Sequence, residues 1–200
     1  MNKKKLLFAT GNQGKVNEIR QILGEHYEVY SMKELGVHVD IVEDGKTFEE
    51  NAVIKAKAVM EATGEMTLAD DSGFEVDCLN KEPGIYSARY MGEETSYDIK
   101  NAELIRRCLG VPDEERAARF VCAVACAFPD GEVHTVTGVI EGRIAHEPKG
   151  EHGFGYDPVF YLPEKGCTTA EMLPEEKNKI SHRGIAIRKM ADYLRKRGDI

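Results

Sequence analysis

The stretch FVCAVACAF, Phe120 to Phe128, is unbroken apolar. A half-buried strand alternates apolar and polar residues, so this run predicts a strand covered on both faces. Pro129-Asp130-Gly131 ends it with a turn whose proline presets φ and whose glycine frees it. Val133 to Ile144 is then expected to return beside it as a hairpin partner. Outward from this pair, strands are expected near residues 5–10, 27–32, 67–71, 74–79 and 157–162. Helices are expected near 14–24, 47–63, 96–109 and 183–197. Strands interleaved with helices predict an α/β fold around a mixed sheet.

The 200 residues make one large domain or two small lobes, with enough chain for a sizeable core. GVPDEERAAR, Gly110 to Arg119, reads either as a boundary between lobes or as a surface connection. No apolar stretch approaches the roughly 20 residues of a membrane helix. The basic start MNKKKLLFATG has too short an apolar run for a signal peptide, so a soluble cytoplasmic chain is expected. Five cysteines, with no CxxC pair, argue against bridges, zinc and a cysteine nucleophile. Cys122 and Cys126 read as small hydrophobes within the apolar run. A net charge of −8 argues against a broad nucleic-acid surface but leaves room for a small anion in a locally cationic cleft.

Five stretches carry candidate chemistry. In FATGNQGKVNEIRQIL, Phe8 to Leu23, a strand breaks into Thr10, Gly11, Asn12, Gln13, Gly14 and Lys15 before a helix begins. Backbone N–H groups at a helix start attract anions, and Lys15 adds a point charge. The spacing is not that of the common phosphate loop, and a plain strand–helix turn with a solvated lysine fits as well. In IVEDGKTFEENAVIKAKAV, Ile41 to Val59, Thr47 and Glu50 are explained as a helix cap. Glu43 is not explained by capping, and Lys55 and Lys57 read as a solvated face. In TLADDSGFEVDCL, Thr67 to Leu79, Asp70 and Asp71 end one strand before Ser72-Gly73 begins another. Adjacent strand residues point to opposite faces, so the two carboxylates need not share a pocket. They suit a hard cation or an Asx turn. In GEHGFGYDPVFYLP, Gly150 to Pro163, Gly153 and Gly155 flank Phe154, which either stacks on a nucleobase or anchors the loop to the core. In EEKNKISHRGIAIRKM, Glu175 to Met190, Lys177, Lys179, His182 and Arg183 precede the last amphipathic helix. They read as donors for an anion and a base edge, or as a basic helix cap.

Taken in order, TGNQGK (10–15), FEENAVIKA (48–56), ADDSG (69–73), PGIYSARY (83–90), GFGYDP (153–158) and SHRG (181–184) resemble the inosine triphosphate pyrophosphatase family, over Leu7 to about Leu194. The resemblance implies one domain over residues 1–200, with two lobes around a long mixed sheet, flanking helices and an active site in the cleft between lobes. It implies hydrolysis of dITP, ITP and XTP to the monophosphate and pyrophosphate, with Mg2+ as cofactor and a homodimer as the assembly. Carried over by position, Thr10, Gly11, Asn12, Gln13, Gly14 and Lys15 hold the triphosphate. Asp71 is a metal ligand and the general base, and Glu43 is the second metal position. Ser72, Phe154, Gly155, Tyr156, Asp157, Lys177, His182 and Arg183 line the nucleotide site. Two rival readings remain open: a pyrophosphatase for pyrimidine triphosphates, and a nucleotide sensor without turnover.

Overall fold

The computed structural model describes residues 3–198. Strand β1 (Lys4–Phe8) leads into helix α1 (Gln13–Leu23) and strand β2 (Tyr27–Ser31). Helix α2 (Phe48–Thr63) and strand β3 (Thr67–Val76) follow, then helix α3 (Tyr97–Arg107). Strands β4 (Ala117–Ala127) and β5 (Val133–Ile144) come next, with short strands β6 (Phe160–Leu162) and β7 (Cys167–Thr168) after them. Helices α4 (Pro174–Ile180) and α5 (His182–Arg197) close the described chain. The seven strands form one mixed sheet of order β2-β1-β3-β4-β5-β6-β7. β1 pairs parallel with β2 and with β3, and β6 pairs antiparallel with β5 and β7. Among the described residues no helix is long and apolar enough to cross a membrane.

Local chemistry explains most of the element ends. The Asn12 side chain caps α1, which buries Val16, Ile19 and Leu23 on one face. Thr47 caps α2 by accepting from Glu50 N–H at 3.1 Å, and Gly64 ends that helix at φ +69°. Between β4 and β5, Gly131 at φ +91° donates to Phe128 O, which closes the expected hairpin turn. The apolar run is as deeply buried as its sequence demands, with Cys122 through Ala127 shielded from solvent.

Several sequence expectations are corrected. The ADDSG segment does not break a strand: β3 runs continuously through it, and Gly73 has no positive φ. The strand stops at Val76, and Asp77–Leu79 is a short 3-10 turn. Asp157–Val159 is likewise a 3-10 turn, which leaves only Phe160–Leu162 extended. β7 and α4 are too short for periodicity to register, although Pro174 with Glu175 and Glu176 is an ordinary helix start.

The chain divides into two compact units. The first holds Met1–Asp71, Cys122–Gly138 and His182–Ile200; the second holds Ser72–Val121 and Val139–Ser181. GVPDEERAAR therefore lies wholly inside the second unit and is no boundary. The first unit packs Leu6, Phe8, Ile19, Val124, Phe128 and Ile187 into its core. At Gly138 an added Cβ would fall 2.1 Å from His182 O, so only glycine lets the start of α5 lie against β5 there. The second unit has an aromatic core in which Phe74, Phe120 and Phe160 meet with ring centroids 4.8–5.6 Å apart. Buried Arg116 binds the carbonyls of Cys108, Ile144 and Ala145, tying the end of α3 to the end of β5. All five cysteines are free thiols, with Cys78 and Cys108 sulfurs 3.6 Å apart.

Candidate active site

The turn before α1 is held by its own side chains. Thr10 Oγ1 accepts from Asn12 N–H at 3.1 Å, and Asn12 Oδ1 accepts from Lys15 N–H at 3.3 Å. Gly11, Asn12 and Gln13 are exposed, and a Cβ added at Gly11 would meet nothing within 4 Å. The protein's own packing thus leaves open the space beside the turn. Lys15 is not a solvated lysine. Its ammonium donates to Asp70 Oδ1 at 3.0 Å.

Asp70 is 1% exposed on β3. Its other oxygen accepts from Arg183 Nε at 3.2 Å, and Arg183, 2% exposed at the start of α5, also donates to Glu18 of α1. Burial pushes the Asp70 carboxyl up, but Lys15, Arg183 and Lys55 outweigh it and hold the group well below the usual carboxylate range. Nearby, burial and the Asp70 charge push the Cys122 thiol far up, so it stays protonated and inert.

Asp71, the next residue along the strand, has a different set of contacts. Asn51 Nδ2 of α2 donates to Asp71 Oδ2 at 3.0 Å, and the Lys55 ammonium lies 3.6 Å from Oδ1. The same ammonium is 2.7 Å from Glu43 Oε2. Lys55 is therefore a half-shielded clamp between two carboxylates, not part of a solvated face; Lys57 is exposed as expected. Asn51 is fixed in turn by Gly45 N–H, 2.9 Å from its Oδ1. A Cβ on Gly45 would come within 2.6 Å of that oxygen, so the close approach needs glycine. Burial is the largest influence on Asp71 and pushes its carboxyl up, against the pull of Lys55 and Asn51. A carboxyl raised in this way is a better proton acceptor than an exposed aspartate.

No cluster of three or more His, Cys, Asp or Glu side chains forms a ready metal cage among the described residues. Glu43 and Asp71 nevertheless converge on one cationic point, now held by Lys55. Two carboxylates at such a point suit a hard ion that completes its shell with water and phosphate oxygens, as magnesium does.

The second unit builds the GFGYD loop. Gly153 and Gly155 have φ of +76° and +69°, and a Cβ on Gly153 would strike the Asp157 carboxylate at 2.2 Å. Buried Asp157 accepts from Phe154 N–H at 2.9 Å, Lys177 Nζ at 2.7 Å and Thr169 Oγ1 at 2.8 Å. Tyr156, not Phe154, anchors the loop. It stacks on Phe74, meets Tyr97 edge-on and donates to Ser87 O at 2.6 Å. The Phe154 side of the loop is 36% exposed, with the Lys177 ammonium 5.2 Å from its ring centroid.

Sequence reasoning named these residues as candidates and missed how they are held. Asn51, Glu18 and Thr169 were not singled out, and Lys55 was discounted. Asn51 sits in the FEEN segment, three residues after the first helical position, and its neighbouring cap absorbed the attention. Ser72 lies half-buried on β3, and His182 is buried at the start of α5.

A sheet with helices, an anion-type turn and an acidic pair around a shared cation define an α/β enzyme that handles phosphate. The chain belongs to the Ham1 family, whose profile matches residues 6–193. It is 50% identical to the dITP/XTP pyrophosphatase of Desulforamulus reducens over 191 residues, 95% of each chain. It is 47% identical to the dITP/XTP pyrophosphatase of Bacillus subtilis, over 96% of this chain and 97% of that one. The solved Ham1 protein of Staphylococcus aureus superposes with a TM-score of 0.87 at 41% identity, covering 97% of this chain and 100% of that one. The family resemblance drawn from the six motifs is borne out, and so is the mixed α/β fold.

Proposed function

We propose that this chain hydrolyses the non-canonical purine nucleoside triphosphates dITP, ITP and XTP to the monophosphate and pyrophosphate, with residues 1–200 acting as one catalytic domain. The observation that carries the reading is the convergence of Glu43 and Asp71 on one cationic point, with Asn51 orienting Asp71. High identity to two dITP/XTP pyrophosphatases along nearly the whole chain supports the substrate class.

Glu43 and Asp71 are the residues that would hold a magnesium ion, which when bound supplies charge to phosphate oxygens and acidifies water. Asp71 accepts the proton of the water that attacks the α-phosphorus. The Thr10–Lys15 turn receives the phosphates, and Lys15 offers its charge to the departing pyrophosphate. Phe154 stacks on the purine, on a loop held by Gly155, Tyr156, Asp157 and Lys177. The family resemblance assigns the reading of the base edge to His182 and Arg183, whose guanidinium is anchored on Asp70 and Glu18. A keto oxygen at position 6 accepts from donors there, whereas the amino group of adenine would face them donor to donor.

Hydrolysis of dITP in ¹⁸O-labelled water with magnesium tests this. Label in the monophosphate and unlabelled pyrophosphate are expected. Nucleoside diphosphate and orthophosphate as first products overturn it, and a panel of purine and pyrimidine triphosphates fixes the base class. The assembly is a homodimer on the family resemblance alone, and light scattering that gives a monomer mass removes that part.

A further inference from the structure

Helix α3 buries Lys100, Asn101 and Leu104 along one face, and two of these are polar. Lys100 is accounted for: its ammonium donates to Ala88 O at 2.7 Å. Asn101 is only half accounted for. At 2% exposure its Nδ2 donates to Gly155 O at 3.1 Å, while its Oδ1 is buried without a hydrogen-bond partner. A buried amide oxygen without a partner costs stability, which offsets much of what the Nδ2 bond returns. The amide therefore adds little to the core. Its single bond to Gly155 is what it supplies.

That bond falls where the loop has least to hold it. Gly155 has no side chain and sits in the left-handed region, so only its main chain can be gripped. On the other side of Phe154, Asp157 already fixes the Phe154 N–H. Beyond Gly155, Tyr156 is locked by Phe74, Tyr97 and Ser87. Phe154 O accepts from Asp157 N–H at 3.4 Å, and the Gly155 carbonyl is a further joint next to the exposed ring.

We propose that Asn101 is a positioning residue for the nucleobase platform: its bond to Gly155 O sets the orientation in which Phe154 meets the purine. This rests on the stacking role given to Phe154 above. It acts through the loop and touches no phosphate.

The test compares wild type with Asn101→Leu, which keeps a branched four-atom side chain but has no donor, and Asn101→Asp, which keeps shape but puts an oxygen against the Gly155 carbonyl. For each, kcat and KM for dITP, the inhibition constant of inorganic triphosphate, the melting temperature, and hydrogen exchange of amides 153–157 are measured. In Asn101→Leu, KM for dITP should rise roughly tenfold with kcat within about twofold. Inorganic triphosphate should inhibit as before, and the loop amides should exchange faster. Asn101→Asp should show the same KM, triphosphate and loop-exchange pattern with a lower melting temperature from its buried carboxyl, and it decides the matter if the leucine variant does not fold. An unchanged KM with unchanged loop exchange overturns the proposal. So does a parallel loss of triphosphate binding and thermal stability, which would mark a general structural role. If wild type releases no pyrophosphate from any purine triphosphate, the functional reading fails, while loop exchange in the variants still shows whether Asn101 holds Phe154.

Discussion

Asp70 in the first unit and Asp157 in the second are both buried aspartates beside a lysine, yet they use their charge differently. Asp70 gathers side-chain cations: Lys15 from α1 and Arg183 from α5, the latter also bound to Glu18. Asp157 gathers one cation, one backbone N–H and one hydroxyl, and in doing so folds the loop that carries Phe154. The first is an electrostatic hub that joins separate elements. The second is a local scaffold. Burying a carboxylate is costly in either case, and each site meets the cost with full coordination of its oxygens.

The sharpest break between the two regions is chemical, and it lies one residue from Asp70. Asp71→Asn keeps the shape and the strand but removes the proton acceptor and one anionic ligand. Pyrophosphate release should fall by at least about 10²- to 10⁴-fold while circular dichroism stays that of wild type. Activity near wild type at saturating magnesium would take Asp71 out of the reaction.

The hub and the scaffold should also differ in stability. Arg183→Ala takes the guanidinium from Glu18 and from the buried Asp70, which keeps Lys15, so urea unfolding should show a loss of about 3–5 kcal/mol. Lys177→Met leaves Asp157 its Phe154 N–H and Thr169 hydroxyl, and should cost less, about 1–3 kcal/mol. Equal losses would erase the distinction drawn between the two aspartates.

Phe154→Ala probes the scaffold's purpose. Because the residue is 36% exposed, its removal should barely move the melting temperature. Loss of a stacking platform should lower kcat/KM about tenfold, by similar factors for ITP and ATP, since every purine has a face to stack. A change in the ITP-to-ATP ratio would mean that the ring takes part in choosing the base.

The smallest effect belongs to an exposed counterpart of the hub. Glu34 accepts from Arg20 through both oxygens and from Ser31, and the Arg20 guanidinium, foremost, draws its carboxyl down from 4.5 to about 2. A depressed carboxyl contributes stability that is complete above about 4.5 and is lost as pH falls through about 2. Glu34→Gln should therefore flatten the acid limb of stability slightly and leave neutral pH almost unchanged. Acid unfolding profiles that superimpose would show that this clamp contributes nothing, as is common for exposed ion pairs.

The sequence by itself determined what depends on neighbours along the chain. The apolar run from Phe120 predicted a strand buried on both faces, Pro129-Asp130-Gly131 predicted its turn, and Thr47 predicted the start of α2. Each rests on periodicity or on hydrogen bonds that reach three or four residues. The alternation of strand side chains also separated Asp70 from Asp71, and the structure gives them separate partners. Motif order was enough to reach the family. Tertiary structure alone decided the rest. Lys55 became a clamp because α2 brings it beside Glu43 and Asp71, 12 and 16 residues away in sequence. Lys15 and Arg183 found Asp70 across 55 and 113 residues. Asn101 reached Gly155 across 54. The division into units falls within β3, β4 and β5, inside continuous strands where no turn or loop marks it. A carboxylate's charge and a strand's pattern are local properties. Which cation neutralises that carboxylate, and which core that strand serves, depends on where distant segments come to rest.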